Sequence, residues 1–176
     1  KVTSKGEKKL RRDEKPYQRI SEHIGELPVV MVSPDDVSLV SDSGEDRRRF
    51  MNMVLSQMDK EYLSDVQQYN RLLSQRNTVL KTDRPDISLL EILDERMSSF
   101  AMRIYERRKR FTEDFFPVVG KYYQSLSGGK EAVDIAYKSD IDKGPLAEIL
   151  ATARNKDIAL GYTSVGPQRD DLVFSM

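Results

Sequence analysis

Two apolar seams of matched period, separated by a proline turn, constrain this chain more than any other feature. The first runs Tyr62, Val66, Tyr69, Leu73, Arg76 and Leu80, at alternating spacings of four and three. The second runs Leu93, Met97, Phe100, Ile104, Arg108, Phe111, Phe115, Val118 and Tyr122. Such spacing places each set along one helix face, in the manner of a coiled-coil seam. Between them stands Asp83-Arg84-Pro85-Asp86, where Pro85 forbids an uninterrupted helix. An antiparallel helical hairpin, an arm, is therefore predicted. Its first helix is capped by Asp59 and runs to about Lys81; its second starts near Ser88 and is kinked or ended by Pro117. A methionine and aromatic stripe of this spacing reads as packing, not as a cofactor box. Arg103, Arg107, Arg108, Lys109 and Arg110 form a basic cluster on the arm, with Glu106, Glu113 and Asp114 close enough to pair along the helix. A solvated charge ladder is expected there.

Upstream, residues 33–52 read as a strand end followed by two helix starts. Val29-Val30-Met31-Val32 is an unbroken apolar run, the pattern of a strand over 28–32 buried on both faces. Ser33-Pro34 stops it and opens a helical turn. Asp42 or Ser43 caps a second helix, predicted over Gly44 to Asp59, with Glu45 and Asp46 in its first turn. Phe50, Met53, Val54 and Met58 are its expected inward residues. Arg47, Arg48 and Arg49 follow those acids, and successive helical residues point about 100° apart, so the three cannot all face one way. One is expected to pair inside the protein while the others reach a partner. A solvated face with internal carboxylate pairs is the alternative.

Charge is plentiful but balanced, 29 basic against 29 acidic residues, so a basic surface has to come from local clustering. The absence of cysteine removes disulfides and thiolate metal sites, and a single histidine, His23, argues against a histidine metal site or a Ser-His-Asp triad. No metal site is expected. No apolar run approaches membrane-spanning length and no signal peptide is visible. The reading is a soluble, cytoplasmic protein with no membrane partner. The chain begins without methionine and stops inside an expected strand, so both ends are expected to be cuts in a longer protein.

The remaining segments complete an α+β, mainly α class: a helical-hairpin arm attached to a small β-containing lobe. Residues 1–20 are basic and alternate weakly, fitting a β-hairpin with turn material at 13–15 and Pro16 at an edge. Its Lys8, Lys9, Arg11 and Arg12 are candidate phosphate contacts, although edge strands also carry lysine against aggregation. Ser21 to Gly25 is one helical turn closed by glycine. Ser127-Gly128-Gly129 ends the arm as a cap and turn; Lys130-Glu131 follows where a cassette-ATPase signature continues Gly-Gln. Alternation over Ala132 to Tyr137 predicts a half-exposed strand, and Pro145 opens a helix that Gly161 closes. Two short strands around a Gly-Pro turn are expected over residues 162–174. The expected divisions are 1–43 (hairpin and strand), 44–127 (arm) and 128–176 (return to the lobe).

Two segments together carry a resemblance. Pro34-Asp35-Asp36, Leu39-Val40, Ser43, Arg47-Arg48 and Phe50 resemble the signature of the RecF family of bacterial recombination mediators. Val165-Gly166-Pro167-Gln168-Arg169-Asp170-Asp171-Leu172 looks like that family's Val-Gly-Pro-His-Arg-Asp-Asp-Leu run, with Gln168 in place of histidine. Tyr69-Asn70-Arg71 and Gln75-Arg76-Asn77 are also similar to family helix positions. Asp42, Gly44 and Asn52 depart from the Gly, Pro and Asp usual around the arginine pair. The resemblance implies part of an ABC-type, SMC-like ATPase head, with Pro34, Asp35, Phe50, Gly166, Pro167, Arg169, Asp170 and Asp171 as motif positions. For the full-length protein it implies ATP and Mg²⁺ as cofactors and an ATP-dependent homodimer. It further implies DNA partners, both duplex and single-strand/duplex junctions, and the mediators RecR and RecO, with which recombinase is delivered to gaps. The Gly-x-x-x-x-Gly-Lys-Ser/Thr loop that such a head needs is not in this sequence. This stretch is therefore expected to be a central piece, without cofactor and with no catalytic residue of its own. Arg47, Arg48 and Arg49 join the hairpin residues as DNA-binding candidates. The competing reading is an interaction arm of another SMC-like protein, with structural arginines and no DNA contact. A free-standing enzyme has little support: Asp35-Asp36 and Asp170-Asp171 are sequence neighbours, and the latter pair is expected to fix its turn or to meet Arg169.

Overall fold

The computed structural model describes residues 11–12, 15–18, 20–27, 29, 31, 33–41 and 43–175. A two-residue antiparallel ribbon, β1 (Arg11–Arg12) with β2 (Lys15–Pro16), precedes a 3-10 turn at Ile20–His23. Gly25 follows at φ 84°. Val29 and Met31 belong to no strand and are 66% and 83% exposed, which corrects the expected buried strand; Pro28, Val30 and Val32 lie outside the described residues. The Val29 N–H donates to the Gln57 side chain at 3.1 Å instead of to a strand partner. A 3-10 turn at Pro34–Val37 then leads into α1 (Ser38–Ser41), as Pro34 at a first helical position predicts.

Helix α2 (Gly44–Met58) is capped by Ser43, whose hydroxyl accepts from the Glu45 N–H. Its buried face is Met51, Leu55 and Ser56, while Met53 and Met58 are 50% and 73% exposed. The face is turned relative to the expected one because α2 serves two neighbours. Leu55 joins the core of the arm, and Met51 joins Ile135 and Leu172 of the terminal ribbon. Asp59 ends α2 and caps α3 (Lys60–Leu80), accepting from the N–H groups of Glu61 and Tyr62. Asp86 likewise caps α4 (Ile87–Leu126).

Helices α3 and α4 form the predicted hairpin. Tyr62, Tyr69 and Leu72 face Leu93, Met97, Ala101 and Ile104 in one core, which also takes Ile141, Leu146 and Leu150 from the return segment. Pro117 does not end α4, which continues to Leu126. The seam does run out there, with Val118 and Tyr122 48% and 68% exposed, because α3 has already begun opposite Arg107 and offers no further surface. The expected ladder along α4 is also corrected. Arg103 and Arg107 pair across the hairpin with Asp65, and Arg107 adds Asp59 and Glu61. Cross-pairing of this kind fixes the register of two helices, which pairing along one helix does not.

Ser127, Gly128 (φ 66°) and Gly129 (φ 75°) close α4, and the chain returns through β3 (Asp134–Lys138). Ser139 caps a 3-10 turn at Asp140–Lys143, and α5 (Leu146–Leu160) follows, closed by Gly161 in the left-handed region. Strand β4 (Asp171–Ser175) then pairs antiparallel with β3, from Asp134↔Ser175 to Lys138↔Asp171. Only this one of the two strands expected near the Gly-Pro turn forms. The N–H groups of Thr163 and Ser164 go to Asn77 and Asp157 side chains, and Pro167–Arg169 is a 3-10 turn.

Arg76, fully buried in the seam, locks α5 onto the hairpin. Its guanidinium donates to Asp94 at 2.6 Å, Asp157 at 2.7 Å and Thr163 at 2.8 Å. Removing one partner of such a cluster strands the others in low dielectric. Arg76→Ala is expected to destabilise the chain by about 3–5 kcal/mol, measured as a fall in the urea midpoint. A change below about 1 kcal/mol would show that the cluster is inessential.

Candidate nucleic-acid interface

The three consecutive arginines of α2 have three different fates. Arg47 is tied inward: Nε and Nη2 donate to the two carboxylate oxygens of Asp171 at 2.7 and 3.1 Å, and Nη1 donates to the Leu39 carbonyl at 3.1 Å. Burial pushes the Asp171 carboxyl up, but hydrogen bonds from Arg47 and from the Leu172 N–H outweigh it and hold the group below the usual range. Arg48 donates to the Asp170 carbonyl at 2.8 Å. Burial lowers its pKa, with nearby Arg108 and Arg169 acting in the same direction. Arg49 is 73% exposed and has only loose neighbours, Glu45 at 3.7 Å and Asp46 at 3.5 Å. A Cβ on Gly44 would stand 2.8 Å from both Arg48 Nη1 and Asp171 Oδ1, so glycine is what lets the helix start approach this cluster.

Behind the arginine helix lies a buried polar centre that ties together four elements and the Gly-Pro turn. Arg108 of α4 donates to Asp170 Oδ2 at 2.6 Å, to the Pro167 carbonyl at 2.8 Å, to Asn52 Oδ1 at 3.0 Å and to the Tyr62 hydroxyl at 3.0 Å. Tyr62 in turn donates to Asn52 at 2.6 Å, and the Tyr137 hydroxyl donates to Asp170. Gly166 has φ 113°, and a Cβ there would lie 2.7 Å from the Tyr69 hydroxyl, which donates to Gln168. The sequence reading has Asp170 and Asp171 either fix their turn or pair with Arg169. The Arg169 pairing does not form: its guanidinium sits over the Tyr162 ring at 5.6 Å, and the two acids meet Arg108 and Arg47, with Arg108 tying Asp170 to the Pro167 carbonyl of the turn. Strand β4 starts at Asp171 and lies against α2, so the two carboxylates point at different helices.

Between α2, α3 and the Gly-Pro turn a cleft of about 430 Å³ opens. Glu45, Arg49 and Asn70 stand at its exposed mouth, Arg48, Asn52, Val66 and Gln168 form its walls, and Tyr69, Ile104, Arg108 and Pro167 its buried floor. Both resembling segments thus meet at one site. Of the other motif positions, Pro34 opens the 3-10 turn that contains Asp35, and Phe50 packs on Phe115 with ring centres 6.0 Å apart. Among the hairpin candidates, Arg11 is exposed in β1 opposite Pro16 and Arg12 stands opposite Lys15, while Lys8 and Lys9 lie outside the described residues. His23 contacts the Tyr17 hydroxyl at 3.5 Å. Sequence reasoning missed Asn52, Tyr62, Tyr137 and Arg108 as one network. The available signal was the placement of Arg108 within an apolar stripe, where a cation needs a buried partner. Among the described residues no group of three or more His, Asp or Glu could hold a metal ion, and no helix is long and apolar enough to cross a membrane.

No protein-family model matches the chain. Whole-sequence comparison finds close relatives, each named DNA replication and repair protein RecF. The protein of Porphyromonas gingivalis strain ATCC 33277 is 48% identical over 166 residues, 94% of this chain and 46% of the relative. That of Parabacteroides distasonis is 43% identical over 169 residues, 96% of this chain and 46% of the relative. Among solved structures, that of the recombination mediator protein RecF-ATP in the RecFOR pathway superposes with a TM-score of 0.89 at 27% identity, covering 97% of this chain and 49% of that one. A second, of RecF-ATPrS in the same pathway, gives 0.90 at 26% identity, covering 98% of this chain and 49% of that one. The chain spans about half the length of the curated relatives it matches. With nearly all of its residues aligned at such identity, and with the fold reproduced, this chain belongs to the RecF family.

Proposed function

We infer that this chain acts in DNA repair, replication and recombination as part of a RecF-like mediator that binds DNA and helps load recombinase at single-strand gaps. The carrying observation is the identity to RecF proteins over 94% of the chain. The arrangement of the arginines supports a division of labour. Arg47, held by Asp171, orients the helix, and Arg48 and Arg49 present charge to phosphate. Exposed Arg11 extends the basic track, which Lys8, Lys9 and Arg12 continue in sequence. Phosphate contacts of this kind position the duplex without reading its sequence, and they weaken with salt.

ATP and Mg²⁺ engage other parts of the longer RecF protein in this reading. In this reading the phosphate loop lies elsewhere in the longer protein, since this stretch of sequence holds no Gly-x-x-x-x-Gly-Lys-Ser/Thr run. The cleft arginines contribute charge to DNA and no step of ATP hydrolysis. RecR and RecO are the protein partners, with an ATP-dependent homodimer as the working form in the cytoplasm. The Asp65-bridged arm is a rigid surface suited to a protein contact.

Charge reversal tests the DNA assignment. Arg48→Glu with Arg49→Glu is expected to weaken binding of a fluorescent duplex and to lower the slope of log affinity against log salt by about two. The measurement is anisotropy at several salt concentrations, with circular dichroism as the folding check. An unchanged affinity and slope in a folded variant would favour the interaction-arm reading.

A further inference from the structure

The geometry points to the cleft between α2, α3 and the Gly-Pro turn as a pocket for one unpaired nucleotide, with its phosphate on Arg48 and Arg49 and its base inside. This rests on the DNA reading above and narrows it from backbone contact to a preference for strands with an unpaired base. Three observations carry it. First, the volume of about 430 Å³ falls in the range of roughly 300–1,000 Å³ typical of small-ligand sites. A flat basic surface tracking a duplex needs no such depth.

Second, polarity is graded from mouth to floor. Arg49 and Arg48 stand at the opening and wall, where a phosphate remains half solvated, while Val66, Ile104 and Pro167 supply apolar surface deeper in, beside Arg108, whose guanidinium is already taken by Asp170, Asn52, Tyr62 and the Pro167 carbonyl. A base has an apolar face and polar edges, and unpaired bases are recognised by burying the face while hydrogen-bonding the edges. Third, the polar groups that meet such an edge are amides. Gln168 Oε1 accepts from the Tyr69 hydroxyl and Nε2 donates to the carbonyls of Val165 at 2.7 Å and Thr163 at 3.4 Å, so its orientation is set before any ligand arrives and the second lone pair of Oε1 is what it offers a base N–H. Asn70 at the mouth has no hydrogen-bond partner among the described residues and keeps its amide for a ligand.

The mouth also carries one carboxylate, Glu45, which repels a phosphate. It stands 3.7 Å from Arg49, and Asp46 is 3.5 Å from the same guanidinium, contacts loose enough for Arg49 to leave for a stronger anion. Arg48 is different: it is anchored to the Asp170 carbonyl and cannot retreat. An incoming phosphate thus meets one fixed and one movable guanidinium.

The test compares three DNA probes by anisotropy: a blunt duplex, the same duplex with a three-nucleotide overhang, and that overhang built from abasic residues. Stacking and burial of one base predict at least about fivefold tighter binding of the base-containing overhang than of the abasic one. Asn70→Trp, which plugs the mouth from an exposed helix position, is expected to bring that ratio to about one while retaining the helical circular dichroism of the parent. Equal affinity for the two overhangs, with duplex binding intact, would overturn the pocket and leave the DNA reading standing. So would a ratio that survives in the folded Asn70→Trp variant. Failure of the parent chain to bind any probe would overturn the DNA reading and the pocket with it.

Discussion

A buried cation in the middle of an apolar seam is the constraint that the rest of this structure answers to. Arg108 is 3% exposed and Asp170 is fully buried, so both have left water at a large desolvation cost. Their direct contact at 2.6 Å offsets part of that cost, and hydrogen bonds to Tyr62, Asn52, Tyr137 and a backbone carbonyl offset more of it. Together with Arg108 itself, these groups come from five separated parts of the chain. Meeting all of them at once leaves little freedom in where α2, α3, α4, β3 and the Gly-Pro turn lie. Lysine does not substitute, because only the planar fork of arginine donates in several fixed directions together.

Arg76 repeats the device further along the hairpin, toward α5. It too occupies a seam position and collects acids from elsewhere, Asp94 on the facing helix and Asp157 on α5. A two-stranded ribbon is marginal alone, and a single helix such as α5 is no better. Each is secured by one buried arginine that reaches out of the arm. The arginine cleft is a by-product of this anchoring. Asp170 sends its carboxylate to Arg108 and its carbonyl to Arg48, so one residue of the turn holds the floor and a wall of the site together.

The helices were legible because their signals are local. Asp59 caps where it was read, Pro85 breaks the chain, and the seams at four and three spacing bury over their middle, with Leu72 taking the place read for Leu73 and Val118 and Tyr122 left exposed. The ion pairs were not legible, since Arg47–Asp171 and Arg108–Asp170 join residues over a hundred and about sixty positions apart, and neighbouring acids on the same helix looked like adequate partners. The exposure of Val29 and Met31 was hidden for another reason. An apolar run states that surface would gain from burial, and nothing in it says what would cover that surface. At the cleft, the arginines were found from their clustering, while the floor came from two helices and a turn that only tertiary packing brings together.

Hydrogen exchange in the Asp170→Asn variant tests the anchoring role of Arg108 most directly, because the change removes the counter-charge and keeps the shape. Amides of β3, β4 and the Gly-Pro turn are expected to lose protection together, while those around Arg76 and Asp94 on the hairpin keep theirs. Unchanged protection in the ribbon, or an equal loss along the whole arm, would contradict that role.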